Sequence, residues 1–205
     1  MKPLLLVGGG GHARACIDVI QAEGNFEIQG IVERIGGEQA SVLGYPVIGS
    51  DNDLTRLLAT TPSALVTVGQ VKSPAARVAL YDVLARLGAH MPGIISPTSY
   101  VSKHSAIGEG TIIMHGAIIN ALASVGRNCI INSQALLEHD AVIGDHCHIS
   151  TGAKVNGNVN IGSGTFIGSG AILREGLSIG ANCVIGAGAI VLHDLPEATQ
   201  HIGML

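Results

Sequence analysis

Residues 131–161 read INSQALLEHDAVIGDHCHISTGAKVNGNVNI, and every sixth residue of this stretch is Ile, Leu or Val. The column runs from residue 95 to residue 191, and all seventeen of its members are Ile, Val or Leu. A second column, four residues after the first, is small or aliphatic throughout. A period of six fits neither a helix nor simple strand alternation. It predicts short strands joined by corners, so that the chain winds around an axis as a solenoid.

The position directly after the first column is rich in two residue types. It holds seven glycines and three asparagines among the seventeen repeats. Glycine and asparagine tolerate a positive φ better than other residues do. We therefore expect the tight corners of the solenoid at this position.

The cysteines fit the same pattern. Cys129, Cys147 and Cys183 fall in the small inward column, so we predict that they pack in the core as reduced thiols. With Cys16 they form no C-x-x-C pair, which argues against both a disulfide framework and a zinc-ribbon site.

The composition excludes several classes of protein. The 205 residues include 29 glycines and no tryptophan, and 47% are apolar while 2% are aromatic, so the core must be a thin aliphatic layer. A net charge of -4 provides no basic face, and we expect no nucleic-acid partner. The apolar run PLLLV at 3–7 is too short to cross a bilayer and no leader precedes it, so we predict a cytoplasmic protein without membrane insertion.

The first part of the chain has a different pattern, in which apolar runs alternate with helical periodicity. Alternating strands and helices indicate a small parallel sheet. The chain therefore divides into an α/β domain over 1–93 and a solenoid over 94–205. The predicted strands lie at 4–7, 26–33 and 63–69, and the predicted helices at 14–24, 50–60 and 73–88.

A glycine-rich turn separates the first strand from the first helix. Gly8, Gly10 and Ala13 satisfy the G-x-G-x-x-G/A pattern, in which the free N–H groups of a helix face an anionic phosphate. About 90 residues supply only one mononucleotide-binding half, which favours a single nucleotide diphosphate over NAD. A tight turn that only packs helix on strand is the alternative.

Three segments together resemble one family. They are VGGGGHA at 7–13, VTVGQ at 66–70 and INSQALLEHDAVIGDHCHISTGAKVNGNV at 131–159. They are similar to the bacterial hexapeptide-repeat sugar acetyltransferases, which include sialic acid O-acetyltransferases and the nucleotide-amino-sugar N-acetyltransferases of bacillosamine and perosamine synthesis. The resemblance implies a Rossmann-like α/β domain that holds a UDP-sugar, followed by a left-handed parallel β-helix that holds acetyl-CoA. It also implies homotrimers with active sites between subunits.

The resemblance further assigns roles to single residues. His139 matches the general base, and the main-chain N–H of Gly157 matches the group that meets the thioester carbonyl. The implied catalytic residues are His139, Asp140, Glu138 and Asn132. The implied acetyl-CoA contacts are His148, Gly157, Ser169, Gly186 and Ala187. The implied substrate contacts are Gly8, Gly9, Gly10, Gly11, His12, Glu33 and Gly69.

The spacing agrees with part of this assignment. If three hexapeptides close a coil, Gly157 lies directly above His139, and both face outward because neither belongs to a core column. Whether Asp140 or Glu138 supports the histidine stays open, since adjacent residues in an extended chain point apart. We expect four further solenoid histidines to lie on the surface. These are His104, His115, His146 and His193.

A histidine that titrates near neutral pH suits removal of a proton from a sugar ammonium group. The resemblance implies, and this chemistry allows, an acetyl-CoA-dependent N-acetyltransferase that needs no metal and acts on the 4-amino group of a UDP-linked amino-dideoxy sugar. The UDP-N-acetylbacillosamine type, used in protein glycosylation, is the expected substrate. O-acetylation of a sugar such as sialic acid is the first alternative. A zinc enzyme resembling the hexapeptide-repeat carbonic anhydrases and a non-catalytic sugar-nucleotide scaffold are the others.

One segment departs from the family pattern. Members usually follow the last coil with a Gly-x-Pro-Ala segment that helps to enclose the pantetheine arm. Residues 201–205 read HIGML and end where the proline is expected. We therefore expect either a truncated chain or a more open coenzyme A pocket.

Overall fold

The structure, a computed structural model, describes residues 1–34 and 40–202. Its first part is a five-stranded sheet in the order β3-β4-β2-β1-β5, in which β3 alone is antiparallel to its neighbour. The elements are β1 (Lys2–Val7), α1 (Gly11–Glu23), β2 (Phe26–Glu33), β3 (Ser41–Val42), β4 (Tyr45–Ser50), a 3-10 turn (Asp51–Asp53), α2 (Leu54–Leu58), β5 (Ala64–Val66) and α3 (Ala75–Arg86).

The predicted parallel sheet is confirmed, with two differences. The strand expected over 63–69 is shorter, because the chain leaves the sheet after Val66. The β3-β4 pair was not anticipated. α1 ends as predicted at Gly24, whose φ of 73° is in the left-handed region.

The second part is a parallel β-helix with three faces, each strand two residues long. Face A comprises Ile94–Ile95, Ile112–Ile113, Ile130–Ile131, His148–Ile149, Phe166–Ile167, Val184–Ile185 and Gln200–His201. Face B comprises Tyr100–Val101, Ile118–Ile119, Leu136–Leu137, Lys154–Val155, Ile172–Leu173 and Ile190–Val191. Face C comprises Ala106–Ile107, Ser124–Val125, Val142–Ile143, Asn160–Ile161 and Ser178–Ile179. The chain passes from face A to B to C, and we name the corners A–B, B–C and C–A.

Each coil contains eighteen residues, as the pairing of Ile118 with Leu136 illustrates. The two predicted columns pack inward and form one continuous cluster along the axis. The three solenoid cysteines are buried in that cluster and unpaired, which confirms their predicted packing. The small aliphatic residues fill the prism and leave no room for large aromatic ones.

The expectation for the corners was wrong in one respect. In the corners from residue 110 to residue 188 the left-handed residue lies two positions later than predicted, for example at Gly152 (φ 66°) and Asn158 (φ 55°). The glycines directly after the first column are required for a different reason, which is close approach of the next coil. A Cβ on Gly162 would lie 2.4 Å from the main-chain nitrogen of Ala181.

The two parts share a seam, and its centre is the buried guanidinium of Arg77 on α3. Arg77 is 1% exposed. Its Nη1 donates to the carbonyl oxygens of Val66 and Val68, and its Nη2 donates to the Asn128 carbonyl at 3.1 Å and to Asn128 Oδ1 at 2.7 Å. Burial lowers the pKa of Arg77 to about 10, so the group stays charged at neutral pH. One cation therefore links the end of β5 to the C–A corner that contains Asn128.

Two histidines also lie at the seam. His148, on face A, is 7% exposed and donates from Nδ1 to the Gln70 carbonyl. Burial lowers its pKa to about 4. Burial lowers the pKa of His12 to about 3, with a further contribution from Arg77. Both imidazoles are therefore neutral in the folded protein at neutral pH.

The seam continues into an apolar core. Residues of α1, including Ile17 and Ile20, form one buried cluster with Ile94, Ile112 and Ile130 of face A. Among the described residues, no helix is both long and apolar enough to cross a bilayer. Residues 203–205, on which the expectation for the carboxyl-terminal segment partly depends, lie outside the described residues.

We predict that Gly162→Ala destabilises the protein, because the new Cβ collides with main-chain atoms that cannot move without breaking the coil-to-coil hydrogen bonds. The expected loss in the free energy of unfolding is roughly 1–3 kcal/mol or more, measured by urea denaturation. Gly176→Asn is the control, since Gly176 has a φ of 73° with open space around its missing Cβ. It should change stability by less than about 0.5 kcal/mol. Equal losses in the two variants would contradict the close-approach explanation.

We also predict a loss of stability on acidification that depends on His12 and His148. Their pKa values are depressed on folding from 6.5, so the unfolded chain binds more protons as the pH falls below about 6.5. Between pH 7.5 and pH 5 each histidine should cost on the order of 2 kcal/mol. Urea denaturation at several pH values should show that the free energy of unfolding depends less steeply on pH in His12→Gln and His148→Gln than in wild type. The exposed His193→Gln is the surface control, and slopes identical to wild type in both seam variants would refute the prediction.

Candidate active site

His139 lies at the third B–C corner along the chain, between the strands Leu136–Leu137 and Val142–Ile143. Its side chain is 66% exposed. Its Nδ1 is 2.8 Å from Asp140 Oδ2. The two adjacent side chains meet because Asp140 has a φ of 61°, which turns the chain within the corner. Adjacent side chains at this corner therefore meet, unlike those in an extended chain.

This contact defines the chemistry of the imidazole. An ionised carboxylate only accepts hydrogen bonds, so the proton of neutral His139 lies on Nδ1 and donates to Asp140. The lone pair of Nε2 is then free on the outward side of the corner. The pair has the arrangement of a base held in one tautomer by a carboxylate.

Glu138 has other partners. Its Oε2 accepts from Asn120 Nδ2 at 2.9 Å and from the main-chain N–H of His139 at 3.4 Å. The geometry thus brings Asp140, rather than Glu138, onto the imidazole. Asn120 was not anticipated, although it stands eighteen residues before Glu138 and the period alone would have placed it there.

Gly157 lies one coil further, directly against the ring of His139. A Cβ at this position would be 2.8 Å from Cε1 and 2.9 Å from Nε2 of His139. Only glycine leaves the imidazole its place. Within the part of the chain that the structure describes, the main-chain N–H of Gly157 has no acceptor. A free amide donor therefore stands beside the free Nε2.

Asn132, predicted as a catalytic residue, and the remaining predicted acetyl-CoA contacts lie at the A–B corner or, for His148, on face A beside it. Asn132 Nδ2 is 3.1 Å from His148 Nε2, and Ser169 Oγ is 2.9 Å from Ser150 Oγ. Gly186 and Ala187 occupy the same corner three coils above Asn132. One side of the triangular coil separates this corner from His139. A single chain therefore does not bring Asn132 and His148 together with His139.

The face between these two corners is apolar on its outside. The outward residues of face B are Tyr100, Ile118, Leu136, Lys154, Ile172 and Ile190. Tyr100 and Ile190 are each 59% exposed. Five apolar side chains in one row make an unusual surface for a protein in water.

A cleft of about 790 Å³ opens at the carboxyl ends of the α/β strands. Its lining includes Gly8, Gly9, Gly10, Glu33 and Gly69, together with Arg34, Asp51 and the α3 residues Ala76, Ala79 and Leu80. Of the predicted substrate contacts, Gly11 and His12 are not part of this lining.

Close packing shapes the glycine-rich wall of the cleft. Gly8 has a φ of 110°, and a Cβ there would lie 2.4 Å from Val68 Cγ2. The main-chain N–H of Gly9 donates to Glu33 Oε2 at 2.7 Å. His12 points instead to the seam, where its Nε2 is buried without a partner, and as a neutral ring it brings no positive charge to a phosphate.

Two of the histidines expected on the surface are not free. His146 is half-buried, contacts Tyr81 edge to face and lies 3.0 Å from Asn128 Nδ2, and burial lowers its pKa. His115 bridges Ser96 Oγ at 2.7 Å and Asp18 of α1 at 2.9 Å. The eighteen-residue period could have indicated the contact of His146 with Asn128, whereas the contacts with Tyr81 and Asp18 depend on how the α/β part packs on the solenoid.

Across residues 1–34 and 40–202, no group of three or more His, Cys, Asp or Glu side chains is arranged to hold a metal ion. The histidines of the B–C and A–B corners bind carboxylate, carbonyl and amide groups instead.

Comparisons with known families agree with the two-part architecture. The model of the PglD N-terminal domain matches residues 3–83, and the bacterial transferase hexapeptide model matches residues 122–157 and 158–193. A comparison with curated protein sequences gave no significant match.

Two solved structures are similar over nearly the whole chain. PerB from Caulobacter crescentus, in complex with CoA and GDP-perosamine, is 33% identical, with a TM-score of 0.91 over 99% of this chain and 95% of its own. The acetyltransferase domain of PglB from Neisseria gonorrhoeae, in complex with acetyl coenzyme A, is 32% identical, with a TM-score of 0.86 over 96% of this chain and 94% of its own. Sequence motifs, fold and whole-chain similarity agree: the chain belongs to the hexapeptide-repeat sugar acetyltransferase family.

Proposed function

We propose that the protein transfers an acetyl group from acetyl-CoA to the 4-amino group of a nucleotide-linked amino-dideoxy sugar, with His139 as the general base. The observation that carries the proposal is the His139 corner. A histidine held by Asp140 presents its free Nε2 beside the unpaired N–H of Gly157. In this proposal residues 1–93 bind the nucleotide sugar and residues 94–205 bind acetyl-CoA, in the cytoplasm.

The reaction uses each of these groups once. His139 Nε2 takes a proton from the sugar amine, whose lone pair attacks the thioester carbonyl and forms the C–N bond. The oxyanion accepts a hydrogen bond from the Gly157 N–H. The C–S bond then breaks, and the proton on His139 passes to the departing thiolate, so the base is regenerated. Asp140 stabilises the imidazolium in between.

Two nucleotides and two acceptor atoms are candidates. The resemblance carried by the sequence motifs implies a UDP-linked sugar of the UDP-N-acetylbacillosamine type. A GDP-linked sugar is the second candidate, because the Caulobacter relative was crystallised with GDP-perosamine. A sugar hydroxyl, as in sialic acid, would use the same base, but the two relatives named above favour the amine.

We further propose that the active unit is a homotrimer in which one subunit supplies the His139 corner and the next supplies the A–B corner and the cleft. Support comes from the distribution of residues in the single chain, since these groups occupy different corners. The apolar outer row of face B lies between the two corners and would be covered by a neighbour.

We predict that His139→Gln lowers kcat about 10²–10⁴-fold, because the proton acceptor is lost while the corner keeps its shape. Asp140→Asn should lower it less, since asparagine tolerates the left-handed backbone and only the charge is removed. Thiol release from acetyl-CoA would be followed with UDP- and GDP-linked 4-amino-4,6-dideoxy sugars.

The matched control is His193→Gln. His193 occupies the same outward position three coils above His139 and is exposed. The His193→Gln variant should keep the wild-type rate of acetyl transfer. Full activity in His139→Gln would overturn the proposed base, and no transfer by wild type to any nucleotide-linked amino sugar would overturn the proposed function.

The trimer leads to a separate prediction. If each site combines two subunits, mixing His139→Ala with Asn132→Ala, each of which should be strongly impaired alone, should raise the activity above that of either variant, because some interfaces receive intact corners from both chains. Random exchange of subunits gives up to about a quarter of the wild-type activity. Refolding the variants together and separately provides the comparison, and sedimentation checks the assembly. No recovery in a mixed trimer would show that each chain holds a complete site.

A further inference from the structure

A short chain of buried polar groups joins the nucleotide cleft to the A–B corner. Gln70 follows Gly69 of the cleft wall and is 3% exposed. Its Nε2 donates to the Gly164 carbonyl at 3.2 Å, and its main-chain carbonyl accepts from His148 Nδ1 at 2.6 Å. Both hydrogen bonds cross the seam. The turn after β5 is thus fastened to the solenoid by a side chain and by its own main chain.

These contacts fix the tautomer of His148. A carbonyl oxygen can only accept, so His148 Nδ1 carries a hydrogen. The ring is neutral because burial holds its pKa at about 4. Its Nε2 therefore has a lone pair and no hydrogen, and it must accept from Asn132.

The orientation of the Asn132 amide follows from the same argument. The atom facing His148 Nε2 has to be the NH₂ group, and Asn132 Oδ1 accepts from the main-chain N–H of Ser133 at 2.8 Å. The two contacts agree on one orientation of the amide. One hydrogen of Asn132 Nδ2 is engaged by His148, and the second is left in a fixed direction on a half-buried side chain.

Gln70 carries an energetic cost that a purely structural position would not require. Its Oε1 is buried without a hydrogen-bond partner. Burying an unpaired acceptor destabilises the fold, and an apolar side chain of similar size would avoid this cost. A role other than packing explains why a glutamine stands here.

We propose that Gln70 is a positioning residue for acyl transfer, acting through His148 to hold the free N–H of Asn132 toward a carbonyl oxygen of the acyl donor. The proposal rests on the proposed function. Gln70 anchors the turn, the turn carbonyl selects the His148 tautomer, and the tautomer orients Asn132. Because Gly69 lies in the cleft wall, the same turn links the nucleotide site to the acyl site.

The first test is a double-mutant cycle on the rate of acetyl transfer. Gln70→Leu should lower kcat about 5–20-fold with little change in KM for the nucleotide sugar, since the cleft lining stays intact. Gln70→Leu combined with Asn132→Ala should lose no more than Asn132→Ala alone, because both act on one donor. The control is Gln134→Leu, an exposed glutamine on the same corner, which should keep the wild-type rate. Additive losses, or wild-type kcat in Gln70→Leu, would overturn the proposal.

A second measurement does not depend on turnover. The ¹⁵N chemical shifts of His148 in the wild-type protein should report one tautomer with the hydrogen on Nδ1, and Gln70→Leu should give a mixture of tautomers. A hydrogen on Nε2 in wild type, or an unchanged spectrum in the variant, would refute the positioning role. If wild type transfers no acetyl group to any nucleotide-linked amino sugar, the proposed function fails, and the imidazole spectrum still decides the role of Gln70.

Discussion

The eighteen-residue stacking of one coil on the next is the constraint on which the rest of the structure depends. The main-chain hydrogen bonds between successive coils recur at this interval within each face, so a side chain at one level has a fixed neighbour above and below. The geometry of the His139 corner is a product of this register. His139 has its space because residue 157 is a glycine, and Glu138 has its partner because residue 120 is an asparagine.

The same stacking limits where variation is tolerated. Positions directly after the inward column face the backbone of the next coil, and several of them accept no Cβ. The remaining corner positions are less constrained, and several of them, such as Gly152, Gly170 and Gly176, have open space around the missing Cβ. A regular scaffold thus leaves the chemistry to a few exposed corner positions, in keeping with a rigid framework that presents functional groups at its loops.

Much of the fold could be predicted from the sequence because its signals are local and periodic. The inward columns, the ends of α1 and α3 and the position of Gly157 over His139 all follow from spacing. The pairing of His139 with Asp140 could not be predicted, because it depends on the left-handed φ of Asp140, which a pattern of short extended strands does not report. The burial of His148 and His146 escaped prediction for another reason. Both are covered by the α/β part, and no pattern within either part reports how the two pack.

The shared core at the seam has a consequence for how such proteins diversify. Side chains of α1 and of the first three face A strands belong to one apolar cluster, and Arg77 donates to main-chain carbonyls on both sides. A recombination event that exchanged only the first 93 residues between two relatives would leave mismatched shapes across this boundary. A viable chimera would have to carry the early coils together with the sheet, so the natural unit of exchange extends past the apparent domain boundary and ends within the solenoid.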